Sequence, residues 1–257
     1  MSNQTFTITF GDQAENHVGM QKLGVLAQEG FNYKDLEIAK KWFEEKGAKT
    51  KLIHLNSVLE KNIKTDDAYI LIIDNGLDFV IGPKYNSQEF FNEQNNLLWD
   101  EKSLMYGRVV NKKARHNLCY SNEKQSPDYE NGKGRIISFD DVPLLNILRN
   151  LLPLIIGNKA NELMVEGNNY YDINKCGIGF HGDSERKKVI GLRVGAKLPL
   201  HFQWFHKSKP VGNKIEFILN TGDIYFMSEK ATGNDWKKKN IYTLRHAAGC
   251  QKFLTIK

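Results

Sequence analysis

The stretch NNYYDINKCGIGFHGDSERKKVIGLRVG (168–195) places two short apolar runs, GIGFHG and VIGLRV, on either side of a polar turn. Runs of this length bounded by Gly, Asn and Lys read as β-strands. His181-Gly182-Asp183 lies at the end of the first run. Residues two apart on a strand point to the same face, so the imidazole and the carboxylate converge and can share one ion. Two histidines and one carboxylate on one side of a metal are the ligand set of non-heme iron(II) oxygenases, which leave positions open for cosubstrate and oxygen. An isolated HxD triplet also occurs in surface turns, so its surroundings decide its meaning.

Those surroundings are β-rich. From about residue 162 onward the chain consists of short apolar segments separated by Gly, Asn and Lys: ELMVEG, GIGFHG, VIGLRV, LHFQWF, IEFIL, DIYFMS, IYTLRHA and KFLTIK. Eight such segments predict an antiparallel, barrel-like jelly roll. VPLLNILRNLLPLI (142–155) reads as a helix before it. The polar stretch from about 100 to 140 reads as a loop system. Its interleaved Arg115, Tyr120, Tyr129, Lys133 and Arg135 favour a lid over a linker.

Further towards the N-terminus the pattern changes to a small α/β unit. TFTITF (5–10) alternates like a strand, YKDLEIAKKWFEEKG (33–47) has helical spacing, and KLIHL (51–55) and AYILIID (68–74) read as buried strands. Neither GxGxxG nor GxxxxGK[ST] occurs there, so a nucleotide-phosphate site is unsupported. Asp12, Glu15, Asn16 and His17 cluster after the first strand, where ligand groups often sit. Capping of a following helix by Asp12 or Asn16 is the simpler expectation.

The run 168–195 resembles the AlkB-like family of 2-oxoglutarate oxygenases. The motif is an N-x-Y, a Gly-containing turn, H-x-D-x-E and an apolar strand ending in Gly, matched by Asn169, Tyr171, His181, Asp183, Glu185 and Gly195. Residues 112–129 with the helix after them resemble the family's substrate lid and its supporting helix, and GDIYFMS (222–228) its Gly-Asp strand. The resemblance covers about 106–257. It implies an α+β chain: a double-stranded β-helix (jelly-roll) catalytic domain at 106–257, a lid at about 115–135, and an N-terminal α/β extension at 1–105.

The resemblance weakens near the C-terminus. AlkB-like proteins place the second metal histidine shortly after a tryptophan and finish on a strand with two arginines. Here Trp236 is followed by Lys237, Lys238 and Lys239, and the only later histidine is His246. With His246 as a ligand, KFLTIK becomes the last strand, and Lys252 and Lys257 stand where cations would hold 2-oxoglutarate. The other alignment gives that role to Arg245, at the cost of a metal ligand. In IYTLRHAA, His246 shares a face with Leu244 and Ala248, opposite Arg245, which favours an inward His246. His201 and His206 flank an aromatic strand and are assigned no ligand role.

The resemblance thus implies iron(II) on His181, Asp183 and His246, with 2-oxoglutarate held by Asn169, Tyr171 and one of the basic residues. Glu185, Arg115, Tyr120 and Tyr129 would face the substrate. The activity implied is hydroxylation or oxidative demethylation of a nucleobase in DNA or RNA. Open alternatives are the same chemistry on a protein, nucleotide or small metabolite, and a metal-free binding module. The net charge is +6, and residues 181–257 hold 15 Lys and Arg against 6 Asp and Glu, which suits a polyanion as well as a plain solvated surface. No apolar stretch approaches the ~20 residues of a membrane span. The start MSNQTFTITFGDQ lacks the features of a secretory signal, so an intracellular protein, cytoplasmic or nuclear, is expected. Cys119, Cys176 and Cys250 read as reduced thiols.

Overall fold

A computed structural model describes residues 3–256. Along the chain run β1 (Thr5–Gly11), β2 (Gln13–Glu15), β3 (Lys22–Gly24), α1 (Tyr33–Glu44), β4 (Thr50–His54), β5 (Tyr69–Ile73), α2 (Gly76–Ile81), α3 (Ser87–Asn95), β6 (Lys102–Met105) and β7 (Arg108–Asn111). Then follow β8 (His116–Ser121), β9 (Ile136–Ser138), α4 (Pro143–Ile156), β10 (Met164–Tyr170), β11 (Gly177–His181), β12 (Val189–Gly195), β13 (Leu198–His206), β14 (Lys209–Leu219), β15 (Ile224–Met227), α5 (Glu229–Thr232), β16 (Thr243–Gly249) and α6 (Gln251–Leu254).

The order of the strands is set by β1. It lies antiparallel between β10 and β12, with Thr5 opposite Tyr170 on one side and Gly195 on the other. The eight-stranded sheet reads β4-β5-β15-β12-β1-β10-β8-β9, and a four-stranded antiparallel sheet, β11-β16-β13-β14, is the second large one. The alternation in TFTITFG explains how β1 serves two layers. Phe6, Ile8 and Phe10 are wholly buried in a core with Leu36, Ala39 and Phe43 of α1 and Leu145, Leu148 and Leu152 of α4. Thr7 and Thr9 turn the other way, into a cavity that also reaches β11 and β16.

Both helices on the outer face are specified locally. In α1, Asn32 caps the Lys34 and Asp35 amides and Asp35 caps back to the Asn32 N–H, while the buried Leu36, Ala39 and Phe43 recur at helical spacing. Helix α4 opens on Pro143, which has no N–H to leave unpaired, and buries Leu144, Leu145, Leu148, Leu152, Ile155 and Ile156. The smaller sheet has its own core, with Leu200, Phe202, Trp204 and Leu244 packed beneath Met227 and Tyr225.

Four expectations change. The proposed break at 105/106 is not a structural boundary, because β1 is a central strand of the sheet that carries β10 and β12. KFLTIK is no strand: Gln251–Leu254 is a short helix. No helix follows the Asp12–Gln21 cluster, which forms a hairpin, β2 with β3, whose Asp12 carboxylate accepts from the amides of Ala27, Lys187 and Lys188. Residues 100–140 hold four strands rather than open loop. The three cysteines are free, and among the described residues no helix is long and apolar enough to cross a membrane.

Two tests follow. A fragment beginning at residue 106 lacks the strand between β10 and β12 and is expected to show neither cooperative unfolding nor protease resistance. Phe6→Ala in the full chain should lose about 3–5 kcal/mol in urea denaturation, as buried Phe-to-Ala changes do.

Candidate metal centre

His181 and His246 are a register pair on β11 and β16, just past an irregularity in β11. Asp183 follows β11 by two residues. One ligand atom from each of the three lies within 4.8 Å of the others. Asp183 Oδ1 stands 3.5 Å from His181 Nε2 and 3.6 Å from His246 Nε2. The His181 Nδ1 lies 2.8 Å from the Gly179 carbonyl, which can only accept, so that nitrogen carries the proton and Nε2 keeps its lone pair. Gly182 admits no side chain here: a Cβ would meet the Gly233 carbonyl at 2.1 Å and Trp236 at 2.7 Å.

The electrostatics favour these ligating forms. Burial, reinforced by His246, pushes His181 down to about 3, so it is a neutral imidazole at ordinary pH. Burial opposes ionisation of Asp183, but Arg186 and His246 outweigh it and hold the carboxyl well below the usual range. Arg186 is itself buried. Its Nε lies 3.8 Å from Asp183 Oδ2, and its Nη2 donates to Glu166 and, at 2.8 Å, to Glu185. Three carboxylates thus share one guanidinium beside the two imidazoles, which leaves carboxylate charge in excess. A divalent cation would balance it.

The triad opens on a cavity of about 700 Å³. The large sheet supplies Thr7, Thr9, Glu166, Asn168, Tyr170, Val189, Arg193, Tyr225 and Met227, while Ile178, Leu200 and Ala248 face them from the small sheet. The outer wall is Glu15–Met20 with Lys22, joined by Arg115, Glu185, Trp236 and Lys237. Loop 16–21 is fastened from behind. Asn16 Nδ2 donates to Asp100, Lys112 Nζ donates to Asn16 Oδ1, and the Gln21 amide donates to the Gly132 carbonyl.

The structure therefore brings His181, Asp183, His246, Glu185 and Arg115 to one cavity. Other expected site residues lie elsewhere. The sequence NNYY contains two overlapping N-x-Y readings, and the strand selects the other one: Asn168 and Tyr170 face the cavity. Asn169 is on the opposite face, accepting from Gln4, and Tyr171 is outside, stacked on His116 with its hydroxyl donating to Lys113. Arg245 projects from the outer face of β16 onto Phe205, 4.0 Å from its ring centroid. Lys252 is exposed on α6. Lys257 lies outside the described residues.

The two lid tyrosines are also committed. Tyr120 is fully buried and donates to Gln94 Oε1 at 2.6 Å. Tyr129 donates to Asp100 Oδ1 at 2.7 Å and borders a separate groove with Lys102 and Lys113. The segment expected as a lid mainly braces loop 16–21, which forms the wall. Thr7, Arg193, Glu166 and Arg186 escaped the sequence reading. The Thr/Phe alternation of β1 was a signal for Thr7, but nothing in the sequence placed β1 beside β12.

Compared with known proteins, the chain is 54% identical over 253 residues to the uncharacterized protein R156 of Acanthamoeba polyphaga mimivirus, with 98% of each chain covered. No family model matches the chain.

The depressed His181 value predicts acid sensitivity. Unfolded, its imidazole titrates near 6.5; folded, only at about 3. Between these values the unfolded state binds a proton that the folded state refuses, so stability falls as pH drops through that window. Metal-free protein should show urea midpoints that decline from about pH 7 to about pH 5, with a shallower decline in His181→Asn. Equal slopes would contradict the assignment.

Proposed function

The chain belongs to the family of this mimivirus protein, and from that premise we propose that it is an iron(II)- and 2-oxoglutarate-dependent oxygenase of the AlkB-like kind. The observation that carries the reading is the convergence of His181, Asp183 and His246 at the mouth of a cavity between two antiparallel sheets. Two imidazoles and one carboxylate are the donor set of such enzymes, and the ligands come from one side. The strand order supports a double-stranded β-helix: β15-β12-β1-β10 faces β14-β13-β16-β11 in two rows of four. On this reading the N-terminal β1 completes the barrel.

Iron(II) held there would supply oxidative chemistry, in which 2-oxoglutarate and oxygen become succinate and carbon dioxide as a substrate C–H bond is hydroxylated. An N-methyl group so hydroxylated would leave as formaldehyde, the N–C bond breaking as the nitrogen takes up a proton. The chain's own residues prepare that event. Gly179 fixes the His181 tautomer, Arg186 orients Asp183 from its outer oxygen, and Val189, Leu200 and Met227 keep the inner cavity apolar.

Glu15 and Glu185 line the cavity, and burial raises both above the ordinary carboxyl range, with the charges of Glu185 and Glu166 adding to the effect at Glu15 and those of Asp183 and Glu166 at Glu185. Such a wall suits a substrate rich in N–H donors or bearing a cationic nitrogen, as an alkylated nucleobase does. Lys22, Arg115 and Lys237 at the rim suit a phosphodiester. The same wall would also accept an amine of a protein or metabolite, which is the second reading.

Asp183→Ala and His246→Ala should each weaken manganese(II) binding by more than the ~10–100-fold that loss of an outer partner costs, and should abolish succinate formation. Lys238→Ala should change neither. Unaltered metal affinity in folded His246→Ala would refute the triad. Affinity for a single-stranded oligonucleotide that falls steeply with salt supports the nucleic-acid reading over the metabolite reading.

A further inference from the structure

Cys176 and Cys250 stand opposite each other at one end of the β11–β16 ladder. Gly177 and Gly249 are register partners, and one step beyond them the Cys250 amide donates to the Cys176 carbonyl at 2.9 Å. The Cα atoms of such a hydrogen-bonded antiparallel pair lie about 5.5 Å apart, inside the ~4.4–6.8 Å that a disulfide spans. Alternation turns both side chains to the inner face, because Ile178 and Ala248, two positions further along, pair across the strands and line the cavity. Gly249 lets the strands close up here: a Cβ would meet the Gly177 Cα at 2.2 Å and the Cys176 carbonyl oxygen at 2.6 Å. Both thiols are free. Cys176 is packed into the core of the small sheet with Ala248, and Cys250 is half-buried.

The strand they would secure is weakly held. The order β11-β16-β13-β14 puts β11 at an edge, and its pairing with β16 is interrupted between Ile178 and His181. His181 therefore sits on a strand of five residues that is hydrogen-bonded along one side. A strand so held opens more readily than its central neighbours. A covalent tie at Cys176 fixes it to β16, which carries His246.

From this we propose that Cys176 and Cys250 are a peroxide-responsive pair whose reversible disulfide clamps β11 to β16 and limits opening of the strand that carries His181. The proposal depends on the two strands and not on the oxygenase reading, so the two stand or fall separately. The chemistry begins at Cys250, the thiol that solvent reaches. Burial pushes the Cys176 thiol up, which keeps it protonated and a poor first target. Hydrogen peroxide gives one oxygen to the Cys250 sulfur, leaving a sulfenic acid and a water. The Cys176 sulfur then attacks that sulfur, the S–O bond breaks, and the hydroxyl departs with the thiol proton as a second water. One peroxide has taken two electrons and two protons from two thiols, and a dithiol reductant returns them.

The test treats the full chain with a small excess of hydrogen peroxide at neutral pH, blocks remaining thiols with N-ethylmaleimide, and maps peptides without reduction by mass spectrometry. A linked Cys176–Cys250 pair, lighter than its two thiol peptides by two hydrogens, should appear, vanish with dithiothreitol and persist in Cys119→Ser. In oxidised protein, hydrogen exchange at the amides of Gly177–His181 should slow at least about fivefold. Melting should rise by about 5–10 °C, as expected for a disulfide closing a long loop. Cys250→Ala should give no linked pair and lose both effects of peroxide. Should that variant fail to fold, wild type with Cys250 alkylated before the peroxide is the same control. Sulfinic acid at Cys250 with Cys176 still a thiol, dimers linked through Cys250, or a linked pair that leaves exchange in β11 unchanged overturns the proposal.

Discussion

The pairing of β1 with both β10 and β12 is the constraint on which the rest depends. A strand in the middle of a sheet must satisfy its backbone on both edges and its side chains on both faces. Thr5–Gly11 does so by alternation, with Phe6, Ile8 and Phe10 anchoring the layer of α1 and α4, and its threonines flooring the cavity. Without it, β10 and β12 would face each other across an open gap. Glu166 and Asn168 of β10 could not then be held opposite the His181–Asp183–His246 triad.

The cavity's second feature is an uneven division of charge. Near the His181–Asp183–His246 triad, Arg186 serves Asp183, Glu166 and Glu185 together, so negative charge is in excess. In the same cavity Arg193 is buried with two guanidinium nitrogens that have no hydrogen-bond partner among the described residues. Both groups are largely buried, where water screens charge less than at the surface. On the proposed reading, a divalent cation at the triad would relieve the excess of negative charge.

The wall on the substrate side shows how distant segments cooperate. Asp100 accepts from Asn16, Tyr129 and the Arg135 amide, and so joins the N-terminal hairpin to the polar 115–135 segment. Burial lowers Lys112, which donates to Asn16, to about 8, so its charge contributes to the loop's anchoring below that pH. Sequence composition marks this region as polar and turn-rich, but not which of its residues face the ligand.

What the sequence by itself determined is local. Alternation in TFTITF, helical spacing in 33–44 and 143–156, and the short apolar runs after 162 specify elements because side-chain periodicity follows from backbone geometry. His181 and the inward side of His246 were legible for the same reason, as strand positions, whereas Asp183 was legible only as the second half of an HxD triplet and is placed by the turn after β11, where its amide donates to the Thr232 carbonyl. Tertiary structure alone decided the remainder. NNYY offers two registers, and only pairing with β1 and β8 determines that Asn168 and Tyr170 turn inward. KFLTIK has a strand's composition, yet the sheet position beside β10 and β12 is already filled by β1. Arg193 reads in sequence as one more residue of an apolar strand. Its place in the cavity beside Thr7, 186 residues earlier in the chain, follows only from the pairing of β1 with β12.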